Sequence, residues 1–430
     1  MDAVVGRGSL ELPLSEADVR GICEDAIERL PVTGKRVLVL IPDNTRHARL
    51  DLLFRLIVGP LQKRADAVDV LVASGTHAPM SIELLCNNIG ITMEERKRLY
   101  ANVRFFQHEH RHAGELAALG VIDEQETSRL TNGALVQPIR VTINRKVLEY
   151  DHLILVTPVV PHETVGFAGG NKYFFPGIAG IEVIETFHWI GALLTNPVVN
   201  GVRDTLTRRI IDRATELIPT PRTCFAYVLN ADNEPVCLFA GDPIHAWSQA
   251  VEYSARTHIT YVDHPYRKVL AVTPEIYEDL WVGGKAMYKL EPVVADGGEV
   301  IILGPQIRAI SFVHEEAIRK IGYHVIEYFT RQWDRFAGEP KLIMAHSTNV
   351  RGVGTFDQGS EHPRISVTLA TSIPADVCRS VNLGYLEYRT VRPDEWRRQQ
   401  DPDVLVVENA GQNLYRLRES GSTRNGAAAS

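Results

Sequence analysis

The stretch that decides the fold is KRVLVLIPDNTR, at residues 35–46. Its first half is a continuous apolar run, which is typical of a parallel strand buried on both faces. The run stops at Pro42 and Asp43, and a helical pattern follows at about Leu50–Lys63. A buried strand, a polar loop and a helix in this order indicate an α/β domain, in which ligands bind beyond the carboxyl ends of the strands.

The same plan recurs on both sides of this stretch. Ser15 and Asp18 precede an apolar stripe at helical spacing, which predicts a capped first helix. A second buried strand is predicted at Val68–Ala73, ahead of the polar turn Ser74–His77. Further short apolar runs predict strands at 102–106 and 152–156, a hairpin at 223–240 and a helix at 244–256. The sequence therefore predicts a doubly wound α/β domain over residues 1–262.

A second set of α/β elements follows the segment Thr260–Arg267, which is predicted to be an interdomain linker. Its predicted elements alternate between strand and helix: Val269–Thr273, Ile276–Lys289, Glu299–Leu303, Glu315–Ile321 and Lys341–Ala345. These elements predict two α/β domains with mainly parallel sheets, at 1–262 and 266–400, with the active site in the crevice between them. The strand-like run Val404–Val407, within 402–417, is predicted to return to the first domain, and the polar tail 419–430 to be disordered.

Composition and charge exclude several classes of protein. Of the 430 residues, 45% are hydrophobic and 23% are charged, the balance of a soluble globular protein. The net charge of −7 provides no field for nucleic acid or an anionic membrane, and no apolar run could span a bilayer. The first twenty residues lack the apolar core of a secretory signal, which predicts a cytoplasmic enzyme. The five cysteines are scattered without a C-x-x-C spacing, and each is predicted to be a small buried hydrophobe.

The densest segment for chemistry is PHETVGFAGGNKYFFPGIAG, at residues 161–180. Glycines let backbone N–H groups approach a ligand closely, and the order Gly-Gly-x-Lys suits a phosphate or another anion. The segment matches neither a Walker loop nor a G-x-G-x-x-G loop that opens a helix. A long solvated surface loop is the alternative, and the apolar residues 173–176 argue against it.

Other polar residues are predicted to reach the same strand-end crevice. His77 follows the strand predicted at Val68–Ala73, Asp43 and Arg46 follow the preceding strand, and His188 lies on the helix after the glycine-rich loop. Taken alone, His188 would more often be a core histidine than a metal ligand. The chain has no G-x-S-x-G nucleophile and no H-E-x-x-H zinc pattern.

One further histidine cluster lies in the run FFQHEHRH, at residues 105–112. Histidines at alternate positions of an extended chain can bind a metal, which keeps a metal-dependent hydrolase centred on His108 open as an alternative. An exposed polar strand end is the commoner origin of such a pattern.

Taken together and in order, these motifs resemble those of the lactate racemase family. The matching motifs are PDNTR at 42–46, SGTH at 74–77, PH at 161–162, GFAGGNK at 166–172, PG at 176–177, His188 and WVGGK at 281–285. The resemblance covers most of the chain. It implies a nickel-pincer nucleotide as cofactor, which is a pyridinium-3-thioamide-5-thiocarboxylate mononucleotide that carries nickel. Cofactor-maturation proteins are implied as partners.

The resemblance also implies a role for each matching residue. His77 and His162 match the two catalytic histidines, and His188 matches the nickel ligand. Lys172 matches the lysine that can bind the cofactor covalently through a thioamide. The other matches are Asp43, Thr45, Gly169 and Gly170 on the cofactor side, and Arg46, Trp281 and Lys285 on the substrate side.

The family's reaction inverts a carbon whose hydrogen is not acidic. The resemblance implies that this hydrogen leaves C2 of a 2-hydroxy acid as a hydride, while a base takes the hydroxyl proton. One histidine on each face of the substrate can serve as base for one enantiomer and as acid for the other. The predicted activity is therefore that of a racemase or epimerase. A nucleotide-binding or cofactor-handling protein without turnover is the alternative, and the sequence predicts no oligomeric state.

The sequence departs from lactate-acting relatives beside the predicted substrate lysine. Those relatives carry a glutamine at the position of Val282, and Gly283 and Gly284 are predicted to leave extra room. A longer 2-hydroxy acid, including a sugar acid such as gluconate, is therefore expected in place of lactate. The side chains predicted to bind the extra hydroxyls are His346, Ser347, Asn349 and Arg351.

Overall fold

A computed structural model describes residues 4–45 and 48–418 of the chain. These residues form two compact units, the first of residues up to 190 and 201–257, and the second of residues 191–200 and from 258 onward. Each unit has its own mainly parallel sheet, which confirms the prediction of two α/β domains. Arg46 and the tail 419–430, for which the sequence makes predictions, lie outside the described residues.

The first unit is built on a seven-stranded sheet with two additional small antiparallel pairs. Its strands are β1 Val5–Gly8, β2 Arg36–Ile41, β3 Ala67–Val72, β4 Phe105–Gln107, β5 Leu116–Ile122, β6 Ile139–Asn144, β7 His152–Pro158, β8 Pro161–His162, β9 Gly166–Phe167, β10 Arg222–Leu229 and β11 Pro235–Gly241. The order in the large sheet is β1-β11-β10-β7-β2-β3-β4, while β5 pairs with β6 and β8 with β9. The strands from β10 to β4 in this order are parallel, and β11 and β1 are antiparallel to their neighbours.

Strand β2 lies in the interior of this sheet, between β7 and β3, because its residues are apolar on both faces. Val37 pairs with Val68 of β3 on one side and with His152 of β7 on the other. From Val37 to Ile41 the strand is buried, as the continuous apolar run predicts. The carboxyl ends of β2, β3 and β7 therefore lie at one edge of the sheet. The pair β5–β6 was missed by the sequence analysis, although β5, LAALGVI, is apolar throughout and β6, IRVTIN, alternates between apolar and polar residues.

Helices cover the two faces of the sheet. The helices up to residue 258 are α1 Glu16–Glu28, α2 Leu50–Leu61, α3 Ile82–Asn88, α4 Met93–Arg98, α5 Glu124–Leu130, α6 Ile181–Leu194, α7 Asn196–Val199, α8 Leu206–Thr215 and α9 Pro243–His258. Of these, α7 and the end of α6 from residue 191 belong to the second unit. The predicted capping box is confirmed at α1, where Ser15 accepts from the backbone of Asp18 and the Asp18 carboxylate accepts from the backbone of Ser15. The predicted helices at 50–63 and 244–256 are also confirmed.

One acidic residue interrupts the apolar run of β3. Asp69 is buried, and its carboxylate accepts hydrogen bonds from the side chain of Arg104 and, at 2.5 Å, from the hydroxyl of Tyr150. Burial alone would raise the pKa of Asp69, but these bonds outweigh it and the pKa is lowered. The charged group is thus a structural part of the sheet, which ties β3 to the start of β4.

The second unit is built on a five-stranded parallel sheet. Its strands are β12 Ile259–Val262, β13 Tyr266–Val272, β14 Val294–Gly304, β15 Gly354–Asp357, β16 Ser360–Pro363, β17 Ser366–Thr371, β18 Gly384–Tyr385, β19 Val404–Val407 and β20 Leu414–Leu417. The sheet order is β18-β17-β14-β13-β19, while β12 pairs with β20 and β15 with β16. The helices are α10 Leu280–Gly283, α11 Lys285–Tyr288, α12 Glu315–Ile321, α13 Ile326–Thr330, α14 Trp333–Phe336, α15 Lys341–Arg351, α16 Ala375–Ser380 and α17 Pro393–Gln399.

One predicted strand of the second unit is a helix. The run Lys341–Ala345 forms the first half of α15, and the strand at this point of the sheet is β17, which the sequence analysis missed. A short apolar run does not distinguish a buried strand from one face of a helix. Pro340 directly before the run and Gly352 after it, at φ +85°, are the signals of helix start and end.

Two other predictions for the second unit are wrong. The run Val404–Val407 does not return to the first unit, because β19 pairs in parallel with β13, with Lys268 opposite Val404. The segment Thr260–Arg267 is not a simple linker, since it contains most of β12 and the start of β13. Apolar residues on one short strand do not identify the sheet that the strand joins. The helix predicted at 276–289 is also broken into α10 and α11.

Two further predictions concern the cysteines and membrane-spanning segments. All five cysteines are buried and unpaired, as predicted, and burial raises the pKa of Cys224 to about 12. Among the described residues, no helix has both the length and the hydropathy that a bilayer crossing would need.

Candidate active site

The loop after β2 and the loop after β3 bring a carboxylate and a histidine into direct contact. Asp43 is buried, and one of its carboxylate oxygens lies 2.5 Å from Nδ1 of His77. The other oxygen accepts from the hydroxyl of Thr45 at 2.7 Å and from its backbone N–H at 3.2 Å. The carboxylate is thus fixed on one side by Thr45 and holds the His77 ring on the other.

His162 lies beyond the end of β7, in the small antiparallel pair β8–β9. Its side chain is buried, and the backbone N–H of Thr164 donates to Nδ1 at 3.1 Å. A carboxylate oxygen of Glu163 lies 3.3 Å from the same nitrogen. Neither Glu163 nor Thr164 was assigned a role from the sequence, although both directly follow the predicted catalytic residue.

The glycine-rich segment is a buried turn with left-handed backbone. Gly166, Gly169 and Gly170 have φ of +84°, +85° and +58°. A Cβ on Gly166 would lie 1.8 Å from the carbonyl oxygen of Val202, so no larger residue fits there. The following 3-10 turn, Gly170–Tyr173, carries the partly buried Lys172. The alternative of a solvated surface loop is therefore wrong.

A buried cation and an indole hold this turn in place. Arg208 of α8 donates to the carbonyls of Gly169, at 3.2 Å, and Phe167, and it lies 4.1 Å from the ring centroid of Trp247. The indole N–H of Trp247 donates to the carbonyl of Ala168 at 2.8 Å. Burial lowers the pKa of Arg208 to about 10, which leaves the guanidinium charged at neutral pH. Sequence reasoning missed both residues because they lie on distant helices.

His188 on α6 has the features of a metal ligand. Its Nδ1 lies 2.7 Å from the carbonyl of Ile184, one helical turn earlier, and a carbonyl can only accept. Nδ1 therefore carries the proton and Nε2 carries the lone pair, the arrangement usual for a ligating histidine. Burial is the largest cause of its lowered pKa, and the positive charges of Lys172 and His77 act in the same direction. The structure thus brings His188, Lys172 and His77 into one neighbourhood.

The histidines at residues 105–112 join the surrounding loops instead of binding a metal. His108 is buried, with Nε2 bonded to the carbonyl of Ala179 at 2.9 Å, and burial lowers its pKa to about 4. His110 hydrogen-bonds the backbone of Gly75, whose own N–H donates to the carbonyl of Gly177 at 2.9 Å. Among the described residues, no group of three or more His, Cys, Asp or Glu could hold a metal ion. The exposed polar strand end expected for this run is seen at Glu109, Arg111 and His112, which are exposed, but not at the buried His108.

Two buried polar atoms of these loops lack a hydrogen-bond partner within the described part of the chain. They are the hydroxyl of Ser74, in the loop that carries His77, and the amide oxygen of Asn171, beside Lys172. An unsatisfied buried polar group costs about 1–3 kcal/mol. Both atoms would be satisfied by a polar ligand.

The predicted substrate residues Trp281 and Lys285 lie in the second unit, on α10 and α11. Asp279 fixes this segment, because its carboxylate accepts from the backbone N–H groups of Val282, at 3.1 Å, and Phe312, at 3.0 Å. The ammonium of Lys285 lies 5.4 Å from the ring centroid of Tyr277. The loop after β19 also approaches Lys285, since a Cβ on Gly411 would lie 2.9 Å from the Cβ of Lys285.

The predicted extra room beside Lys285 is not present. A Cβ on Gly283 would lie 2.7 Å from the side chain of Ile307, and one on Gly284 would lie 2.7 Å from Val350. These glycines let two short helices pack closely against the core of the unit. The sequence alone does not distinguish a glycine that leaves an open pocket from one whose missing side chain makes room for a neighbouring residue.

The predicted hydroxyl-binding residues are mostly engaged within the fold. His346 packs on Trp281, with ring centroids 4.1 Å apart, and burial lowers its pKa to about 3. The hydroxyl of Ser347 donates to the carbonyl of Gly322 at 2.8 Å. A polar side chain missed by the sequence analysis is His314, whose ring centroid lies 4.4 Å from that of Trp281.

The two remaining residues of that prediction, Asn349 and Arg351, lie on α15. Asn349 is buried, and its amide oxygen has no partner among the described residues. Arg351 lies 4.0 Å from the carboxylate of Glu361, and burial lowers the pKa of its guanidinium. The contacts of Arg351 are thus directed to a carboxylate of its own unit.

Comparisons with known proteins find similarity to lactate racemases in sequence and in fold. Residues 14–198 match the family model described as the lactate racemase N-terminal domain. A lactate racemase from Thermoanaerobacterium thermosaccharolyticum is 23% identical over 311 residues, which cover 69% of this chain and 67% of that protein. The structure of the lactate racemase apoprotein from the same organism is similar in fold, with a TM-score of 0.71 and 17% identity. The match covers 96% of this chain and 94% of that one.

A crystal structure from Thermotoga maritima is more similar in both sequence and fold. The two chains are 34% identical with a TM-score of 0.84, and the match covers 94% of this chain and 99% of the other.

The glycine turn gives a direct test of the packing around the site. Gly166→Ala and Gly133→Ala both place a side chain at a positive φ, +84° and +81°, but a Cβ on Gly133 meets nothing within 4 Å. We expect Gly133→Ala to lower the free energy of unfolding by about 1–2 kcal/mol through backbone strain. Gly166→Ala should lower it by about 3–5 kcal/mol, because overpacking adds to the strain. Equal losses in urea unfolding would contradict the described packing at Val202.

Proposed function

The chain belongs to the lactate racemase family, and we propose that it inverts C2 of a 2-hydroxy acid with a nickel-pincer nucleotide as cofactor. Membership of the family supports a racemase-type activity. The cofactor, the roles of the individual residues and the substrate are parts of the proposal. The observation that carries it is the environment of His188, whose ring has the proton on Nδ1 and the lone pair on Nε2, close to Lys172 and His77.

The residues of the first unit fit this cofactor. The left-handed turn at Gly169 and Gly170 brings backbone close to a ligand, and the amide oxygen of Asn171 and the hydroxyl of Ser74 are buried without a partner among the described residues. Lys172 lies in the same turn and would attach the cofactor covalently. Thr45 and Asp43 would line the cofactor side of the loop after β2.

His188 would provide the protein's ligand to the nickel. Since no cluster of three or more ligating side chains exists among the described residues, the other ligands would come from the cofactor. Soft sulfur ligands together with an imidazole are a set that nickel accepts. When bound, the cofactor supplies an acceptor for the hydride of C2. Cofactor-maturation proteins would then be partners of this chain.

Proton transfer at the hydroxyl is the step that the chain's own residues perform. Asp43 holds Nδ1–H of His77, so the lone pair lies on Nε2 and can accept the hydroxyl proton. A carboxylate beside an imidazole also stabilises the imidazolium that forms. His162 would perform the same exchange for the opposite enantiomer.

The substrate carboxylate would be held by Lys285 and Arg46. Val282 offers no amide at the position of the glutamine found in lactate-acting relatives, so we propose a longer 2-hydroxy acid, with a sugar acid such as gluconate preferred. The structural basis for this substrate differs from the one expected from the sequence. Gly283 and Gly284 leave no extra room, and the ring of His346 packs against that of Trp281. His314, whose ring packs against Trp281 in a tilted arrangement, would instead hydrogen-bond a hydroxyl of the longer chain.

The first test of this proposal concerns the two histidines. His77→Ala and His162→Ala should each lower the rate of C2 inversion by about 10²–10⁴, because each removes an acid–base group. His245→Ala, at a histidine whose side chain is 70% exposed, serves as the matched control and should leave the rate unchanged. If the protein only binds the cofactor, neither the wild type nor any of the three variants would invert C2. Full activity in both single variants would refute the assignment.

The second test concerns the nickel and the covalent link. His188→Ala should lower the nickel that elemental analysis finds in the cofactor-loaded protein. Lys172→Ala should remove the nucleotide adduct from the intact mass, because the thioamide cannot form. Full nickel content in the His188 variant would exclude His188 as a ligand.

The third test concerns selectivity. Cofactor-loaded protein should invert gluconate with a higher kcat/KM than lactate, malate or phenyllactate. His314→Ala should lower the ratio of gluconate to lactate about tenfold, as expected for one hydrogen bond of about 1.4 kcal/mol. His264→Ala, at an exposed histidine bonded to the backbone of Pro402, is the control. Lactate turning over faster than every longer acid would contradict the proposed substrate.

A further inference from the structure

The nitrogen Nδ1 of His162 has two neighbours with opposite requirements. The backbone N–H of Thr164 lies 3.1 Å away and can only donate, so Nδ1 must accept when this bond is made. The carboxylate of Glu163 lies 3.3 Å away and can only accept, so it requires a proton on Nδ1. One nitrogen cannot satisfy both groups at the same time.

The described contacts give the two histidines opposite tautomers. In His162 the bond from Thr164 leaves the proton of the neutral ring on Nε2. In His77 the carboxylate of Asp43 at 2.5 Å places the proton on Nδ1 and the lone pair on Nε2. As they stand, His77 can accept a proton at Nε2, whereas His162 can only donate one there.

We infer that Glu163 is the positioning residue that lets His162 act as a base, by holding the proton on Nδ1 when Nε2 must carry the lone pair. This inference rests on the proposed function, which needs both histidines in both roles. In the base step the hydroxyl O–H bond of the substrate breaks and an Nε2–H bond forms. The proton on Nδ1 stays in place, and the carboxylate of Glu163 balances the positive charge of the ring. In the reverse step Nε2 returns its proton to the substrate oxygen.

The surroundings of Glu163 favour this role over a chance contact between sequence neighbours. Its side chain is 19% exposed, and carboxylates are seldom enclosed to this degree without a partner. The backbone N–H of the adjacent Thr164 stabilises the tautomer with the proton on Nε2, which cannot act as a base there. A second group is therefore needed to stabilise the tautomer with the proton on Nδ1. Asp43 performs this task for His77 and is the matching group in the other loop.

The experiment measures which ring nitrogen carries the proton. Nitrogen NMR of histidine-labelled protein without cofactor, at one fixed pH, gives the ratio of Nδ1-protonated to Nδ1-unprotonated His162. Glu163→Gln should lower this ratio about tenfold and leave the ring of His77 unchanged. Asp43→Asn should lower the corresponding ratio for His77 and leave the ring of His162 unchanged. Glu24→Gln, at an exposed carboxylate on α1, should change neither ring.

A second readout separates this inference from the proposed function. In single turnovers of loaded protein, Glu163→Gln should slow formation of the 2-keto acid from one C2 configuration at least tenfold and leave the other unchanged. Glu163→Ala, which removes the whole carboxylate, should show the same asymmetry. Unchanged His162 ratios in both variants would overturn the role of Glu163 even if the wild type racemises. A wild type that inverts no 2-hydroxy acid would overturn the proposed function, while the NMR ratio would still report on the contact.

Discussion

The parallel pairing of β2 with β3 on one side and β7 on the other is the constraint on which the first unit depends. It places the loops that follow these three strands at one edge of the sheet. The contact between Asp43 and His77 exists only because two of these loops are neighbours. A shift of one residue in the pairing would turn every side chain of the shifted strand to the other face.

The loops themselves are held by buried polar contacts that a strand pattern does not reveal. Arg208 and Trp247 fix the carbonyls of the glycine turn, and His108 and His110 bind backbone groups beside it. Each contact joins residues more than 30 positions apart in the chain. The strand-end rule therefore predicted that the loops after β2 and β3 are neighbours, but the sequence did not predict the residues that hold these loops.

The errors in the second unit share a physical origin. The apolar run at Lys341–Ala345 fits a helix face as well as a strand, and only Pro340 and Gly352 at its ends favour the helix. Gly283 and Gly284 could open a pocket or permit close packing, and the answer depends on side chains brought near by the fold. Short-range patterns thus located the elements near Lys285, whereas the shape of the wall beside it depends on long-range packing.

The unequal surroundings of His77 and His162 are compatible with a reversible inversion of C2. A catalyst does not change the equilibrium between the two C2 configurations, so the ratio of kcat/KM in the two directions is fixed by that equilibrium alone. A carboxylate held by Thr45 at one histidine, and a carboxylate that competes with a backbone N–H at the other, therefore cannot favour one product. Under the proposed function, they would set which histidine carries the extra proton in the free protein, and hence which C2 configuration the larger share of the protein is ready to bind.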